Sequence, residues 1–429
     1  MLLGVVLLGV IVRMFTSAIF YEIARDTWMS EQLPPLYDVF AGRPVSTFNI
    51  RQSGVALFLL MDPVVRWGWQ GPAVEAWTLF LAAGSLIGGY ALLVRRFFRG
   101  DLHAQLLLAI VWFGSTPTIL ILSGRAPDTW ETFFLSLGLF LYAAPKGIHR
   151  LTGVPLAFGL LSRLLPGAVL LFLAVRGRAA FVIGIVTSIA LLAVGQLLYG
   201  DTLGFGYPSA LAQNLPRAGY DFAAHHENNS IRGLMFKAAA GWRLNGDGPS
   251  VVLGDWAPIV NVLAYVPITA MFLYLLWRTW ANRDVLSVAR RCMEFSWAIV
   301  VMLLISPQTV HGHMIMVLPA FAGLLYLWRA QQPRPWPAWL VATAAVGVLL
   351  VAGPPSVMAQ IVPVVPLMAL SGNASVNFFG PNIGSYDFMG FPGLGLIVAW
   401  IVFAYLDARW RVAEGVVETR PRVPAPGAA

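Results

Sequence analysis

Apolar runs of about 20 residues, each long enough to cross a hydrocarbon core of roughly 30 Å as a helix, recur along the whole chain. They cover residues 1–22, 71–94, 102–122, 130–144, 151–175, 179–199, 256–277, 292–305, 312–328, 336–353 and 390–406. The pattern predicts an all-α fold, a polytopic transmembrane helical bundle of about eleven to thirteen membrane segments. Arg13 interrupts the first run and no small-residue cleavage site follows it, so it reads as a retained helix and not a signal peptide. The run at 151–175 differs from the others, with basic residues at both ends and Ser162-Arg163-Leu164-Leu165-Pro166-Gly167 in its middle. Two crossings of about 20 residues each cannot fit there, so a re-entrant helix pair with Arg163 near its apex is expected. Irregular backbone at that depth is tolerated where it is buried in protein or lines a wet cavity, and Arg163 is expected to face such a cavity.

Charge assigns the sides. Alternate connections carry Arg95, Arg96 and Arg99, then Lys146 and Arg150, Arg176 and Arg178, Arg278 to Arg291, Arg329 and Arg334, and Arg409 and Arg411. By the positive-inside rule these ends are cytoplasmic. Most acidic residues, including Asp26, Asp128, Glu131, Glu227 and Asp255, fall on the other side. Three long segments, 23–70, 200–255 and 354–389, also lie there and mark a working face. Within the first, residues 53–66 are expected to lie along the membrane interface as a helix flanked by Trp67 and Trp69. The chain after Glu418 is rich in Pro and Ala, so residues 1–418 read as a single integral membrane domain and 419–429 as a disordered cytoplasmic tail. No repeat of fixed period appears, and the outer loops differ too much for an inverted-repeat transporter.

Composition agrees with this reading and excludes several others. Hydrophobic residues make up 58% and charged residues 11% of the chain, against roughly 25% charged in soluble domains. The net charge of +8 follows from the cytoplasmic arginines and does not imply nucleic acid. A single cysteine, Cys292, excludes an intramolecular disulfide and a cysteine-rich metal cage. Gly393-Leu394-Gly395 follows no strand and lacks a phosphate-loop lysine, so nucleotide binding finds no support.

Four pieces on the outer side carry candidate chemistry. Asp26, just beyond the first run, could be a general base toward an acceptor hydroxyl or a solvated acid beside Arg25. Arg163 could fork onto a phosphate or partner a buried carboxylate. Asn228-Asn229-Ser230-Ile231-Arg232 opens an amphipathic helix capped by Asn229 or Ser230, and Asn228 also heads a glycosylation sequon. Ser306 to His313 places His311 and His313 at a membrane exit, where they could bind phosphate, ligate a metal or transfer protons. Two residues apart on an α-helix they point about 200° away from each other, and Pro307 and Gly312 permit the unwinding that would bring both to one site. The loop from Ser123 to Glu131, with Arg125 and Asp128, could line the same cavity or solvate a turn.

Taken in order, Asp26, Arg163 through Pro166, Asn228 to Arg232 and Ser306 to His313 resemble the motifs of the integral-membrane GT-C glycosyltransferases. The likeness is to the bacterial branch that uses polyprenyl-phosphate sugars, including mannosyl and arabinofuranosyl transferases, and it spans about residues 20 to 330. Departures are Arg163 for the usual Lys, Gly312-His313 for paired histidines with His311 one place earlier, and Arg51-Gln52-Ser53-Gly54 for Tyr-Pro-Pro. The resemblance implies a GT-C fold with long outer loops and an active site on the extracytoplasmic face of a bacterial plasma membrane. It further implies a polyprenyl-phosphate sugar as donor and a glycolipid or glycan as acceptor, with neither metal nor cofactor. Asp26 would be the base and Arg163 and His313, with His311 beside them, the donor-phosphate contacts. Asn229, Arg232, Arg125, Asp128 and Ser306 would line the substrate cavity. A lipid-linked glycan flippase and a glycan polymerase or ligase are the alternatives.

Overall fold

One helix, Val288–Ile305, is buried along nearly its whole length, from Ala289 to Leu304. A helix apolar on all sides finds partners on all sides, and this one is the axis of the bundle. The computed structural model describes residues 54–68, 72–124, 128–144, 147–201, 203–209, 223–225, 227–241, 251, 254–283, 287–353 and 390–418. Within these, the elements are α1 (Val55–Arg66), α2 (Pro72–Phe97), α3 (Leu102–Gly114), α4 (Thr116–Gly124), α5 (Asp128–Tyr142), α6 (Gly153–Ser162), α7 (Gly167–Arg176), α8 (Arg178–Tyr199), α9 (Ile231–Ala239), α10 (Ala257–Ala281), the axial α11, α12 (Leu318–Arg329), α13 (Ala338–Ala352) and α14 (Phe391–Glu418). Two 3-10 helices, Ile148–Thr152 and His311–Val317, precede α6 and α12. No strand occurs among the described residues.

The chain is therefore an all-α protein with helices suited to a membrane. Five described segments are long and apolar enough to cross one: Ala76–Phe97, Arg178–Tyr199, Ala257–Ala281, Gly312–Arg329 and Phe391–Trp410. Outward faces of these helices are apolar, with Val182, Val186 and Ile189 on α8 and Ile259, Val262 and Val266 on α10 all exposed. Contiguous exposed apolar surface of this kind suits contact with lipid chains.

By this measure the described residues do not reach the eleven to thirteen segments expected from hydropathy. The run at 102–122 is two helices, because Ser115 is extended (φ −68°, ψ 144°) and Pro117 starts the next helix. The Ser115 hydroxyl also bonds Thr118 at 2.9 Å across the break. The last run is longer than read from the sequence, since α14 continues to Glu418. Residues 1–22, the loop 354–389 and the tail 419–429 lie outside the described residues.

The run at 151–175 is a pair of helices broken at Arg163, where the break was expected. α6 ends at Ser162, Arg163 is extended (φ −147°, ψ 152°), and α7 begins after Pro166. Ending a helix inside the bundle orphans its last carbonyls, and α1 supplies a donor for one of them. The Gly54 backbone N–H donates to the Ser162 carbonyl at 3.0 Å. The helix expected over residues 53–66 is α1, and its Val55, Leu57, Phe58 and Met61 are buried in one cluster with Trp130, Leu161 and Leu203. Trp67, just after α1, is 66% exposed.

Small residues set the spacing of the neighbouring helices. A Cβ on Gly153 of α6 would sit 2.0 Å from the Ala180 carbonyl oxygen of α8, and Gly184 faces Gly153 in return. Close backbone approach through small residues is a common device of membrane helix packing.

Ion pairs tie four helices together at the far end of the bundle. Arg176 of α7 donates to Glu294 of α11 at 2.9 Å, and Arg290 donates to the other oxygen of Glu294 at 2.8 Å. Arg290 also reaches Asp407 of α14 at 2.7 Å, and Asp407 accepts from Arg278 of α10.

The seat of α1 can be tested at Gly54, where an added Cβ would lie 2.0 Å from the Leu161 carbonyl oxygen. Gly54→Ala should lower the midpoint of thermal unfolding in detergent, by about 1–3 kcal/mol of stability, as overpacking against backbone does. An unchanged midpoint would mean that α1 does not bear on the helix break.

Candidate functional site

Three segments distant in sequence meet at the start of α5. Asp128 and Glu131 occupy the first turn of that helix, where acids suit the positive end of the helix dipole. Arg163 comes from the break between α6 and α7, and its extended backbone lets the side chain leave the helix axis. His313 comes from the 3-10 segment before α12. Arg163 Nη1 donates to Asp128 Oδ1 at 2.7 Å and contacts His313 Nε2 at 2.9 Å, across 150 residues of chain.

Donor inventory fixes the histidine's state in this contact. A guanidinium has only N–H donors, so His313 Nε2 accepts and the imidazole is neutral, with its proton on Nδ1. The 3.7 Å approach of His313 Nε2 to Asp128 is then no ion pair. The Asp128 side chain is 3% exposed, while Arg163 and His313 keep 14% and 15%. The remaining guanidinium nitrogens, Nε and Nη2, make no hydrogen bond among the described residues.

Glu131 adds a second carboxylate that sequence reasoning passed over. It lies three residues after Asp128, on the same helix face. Both of its oxygens are buried and accept no hydrogen bond among the described residues. Asp128 and Arg163 are its charged neighbours, and Tyr207 lies within its field. The signal in the sequence was two acids one turn apart in Asp128-Thr129-Trp130-Glu131.

No protein-family model, curated protein or solved structure matches the chain. What the site can do follows from its own atoms. One arginine is shared by an acid and a neutral imidazole, with two of its nitrogens unused, in a buried setting where an anion would feel its charge strongly. Among the described residues no group of three or more His, Cys, Asp or Glu side chains is arranged to hold a metal ion.

The remaining candidates divide by position. Asp26 and Arg125 lie outside the described residues, and of His311 only the backbone is described, at the head of the 3-10 segment. That segment is a 3-10 helix, a tighter coil than the α-helix and not the unwinding expected there, and positions two residues apart along it remain about 120° apart. Ser306 is bound into its own turn, its hydroxyl donating to the Gln308 carbonyl at 2.6 Å. Asn229 is fully buried, its backbone N–H donating to the Thr309 carbonyl at 2.7 Å and its side chain to the Glu227 carbonyl at 2.9 Å. Arg232 is buried on α9, its guanidinium 5.9 Å from the Tyr265 ring centre.

Asn228 carries a structural task that its sequon obscured. Its Oδ1 accepts from the N–H groups of Ser230 and Thr309, both at 3.0 Å, and its Nδ2 donates to the Pro307 carbonyl at 3.1 Å. The side chain is fully buried, which removes it as a glycan acceptor. Ser230 is the helix cap, its hydroxyl accepting from the Gly233 N–H at 3.2 Å. The first turn of α9 is thus capped by its own side chain, at Ser230 of the two residues expected for that role.

Two stability measurements probe this arrangement. Asp128→Asn should destabilise by about 3 kcal/mol or more because it strands the Arg163 charge, whereas Glu131→Met should be neutral or stabilising by about 1 kcal/mol, since an unpaired buried carboxylate is a cost. A large loss in the Glu131 variant would reveal a partner for that carboxylate and sink the unpaired reading. Asn228→Ala should cost about 1–3 kcal/mol through the buried groups it leaves unsatisfied, with Asn228→Asp intermediate because it keeps only the acceptor.

Proposed function

We propose that the chain is an inverting glycosyltransferase of the GT-C type that moves a sugar, mannose or arabinofuranose, from a polyprenyl-phosphate donor to a lipid-linked or cell-envelope glycan acceptor. The reaction takes place at the outer face of the bacterial plasma membrane. The observation that carries this reading is the meeting of Arg163 and His313, the two side chains assigned to the donor phosphate, 2.9 Å apart beside Asp128.

In this reading the donor phosphate approaches the unused edge of Arg163. Its negative charge competes with Asp128 for the guanidinium, and His313, released from Arg163, can donate to a phosphate oxygen through the ring nitrogen that carries its proton. Asp26 takes the proton from the acceptor hydroxyl as that oxygen attacks the anomeric carbon, and the bond to the phosphate oxygen breaks on the opposite face. The leaving polyprenyl phosphate carries the electron pair, and the charge that grows on it is what Arg163 and His313 stabilise. Asp128 holds Arg163 in place before the donor arrives.

A lipid-linked glycan flippase is the second reading, favoured by Glu131, since a buried acid with no hydrogen-bond partner among the described residues suits a proton-coupled carrier. Transfer separates the two. Purified protein in detergent, given a synthetic polyprenyl-phosphate sugar and a glycan acceptor, should form a glycosidic bond with inverted configuration. Arg163→Gln should lower kcat about 100-fold or more, and Arg163→Lys should retain part of the activity. Near-normal turnover in Asp26→Asn would remove Asp26 from the base role, and no transfer from any polyprenyl-phosphate sugar would overturn the enzyme reading.

A further inference from the structure

The far end of the bundle holds more positive charge than its ion pairs neutralise. Arg176, Arg278 and Arg290 share the carboxylates of Glu294 and Asp407. Arg96, in the last turn of α2, and Arg291, in the first turn of α11, have no carboxylate partner among the described residues. Arg96 donates to the Ala143 carbonyl, and Arg291 Nη1 donates to the Ala144 carbonyl at 2.9 Å. Both carbonyls follow the last turn of α5, so the two guanidinium groups close one helix end together.

Capping accounts for one N–H of each arginine, and a guanidinium has five. Nε of Arg96 and Nε of Arg291 are both buried without a partner among the described residues. Arg291 lies within the fields of Arg96 and Arg176, and the nearby acid, Glu294, is already bonded to Arg176 and Arg290, so positive charge is in excess here. Two half-buried guanidinium groups converge on adjacent carbonyls and keep N–H donors without partners among the described residues, which an anion between them would fill.

We propose that Arg96 and Arg291 form a phosphate-binding site, with Arg176 behind it, at the arginine-rich end of the bundle. The group it takes is a phosphate of the kind carried by an anionic phospholipid headgroup or by free inorganic phosphate. Planar guanidinium groups match phosphate oxygens two at a time, and the positive-inside rule sets this end in the leaflet where anionic headgroups lie. The site is separate from the Asp128, Arg163 and His313 cluster and is occupied whether or not that cluster transfers sugar.

The full chain in neutral detergent is titrated with phosphatidylglycerol, with phosphatidylcholine and with inorganic phosphate, and read by thermal unfolding and by phosphorus retained per protein. Phosphatidylglycerol should raise the unfolding midpoint saturably by several degrees and phosphatidylcholine should not. The double variant Arg96→Gln with Arg291→Gln should weaken that response at least tenfold, and the double Lys variant should keep most of it. An equal response to inorganic phosphate would name a soluble ligand for the same site. Should the double Gln variant not fold, Arg291→Gln alone gives the reading. No response in the wild-type protein, or an undiminished one in the Gln variants, would overturn the site.

Discussion

Arg163 donates to Asp128 at 2.7 Å across the space between a broken helix pair and the first turn of α5, with both side chains largely removed from water. Neither charge is tolerable there without the other, and losing one partner of such a pair typically costs about 3–5 kcal/mol. The surrounding architecture serves that contact. Pro166 and Gly167 let the helix stop and restart, Gly54 satisfies the carbonyl that the stop exposes, and α5 begins with an acid at its positive end. His313 completes the set as a neutral acceptor on the same guanidinium nitrogen. Groups this buried have little water to repair an omission, so these features depend on one another.

Much of this was legible in the sequence. The break at Arg163 could be read because Pro-Gly in an apolar run with basic ends leaves few alternatives. Alternation of arginine-rich connections placed Asp128, Arg163 and His313 on one side before any contact was known. Other features were hidden for physical reasons. A short apolar helix such as α1 has the same pattern whether it packs on lipid or on protein, so its protein partners were not legible. Residues 102–122 read as one apolar run, yet with Ser115 extended ahead of Pro117 the run divides. Asn228 resembled a surface sequon because the three backbone groups it bonds lie in a different part of the chain or in its own turn. Pairwise hydrogen bonding is not encoded in local hydropathy, and that is where the reading stopped.

The two ends of the bundle solve different problems with similar side chains. Near α5 an arginine bridges an acid and an imidazole and keeps nitrogens in reserve. At the far end Glu294 and Asp407 each take two arginines, joining α7, α10, α11 and α14. Apolar helices can slide along one another with little penalty, whereas these carboxylates reach their arginines in one register only. The network therefore selects the neighbours of α11 as well as holding them.

Asn228 joins the turn at 306–309 to the start of α9 through bonds to both sides of the gap. Two loops fastened in this way share a common length. A residue added to or removed from either one displaces its half of the clasp, so the length of each loop is set by the other.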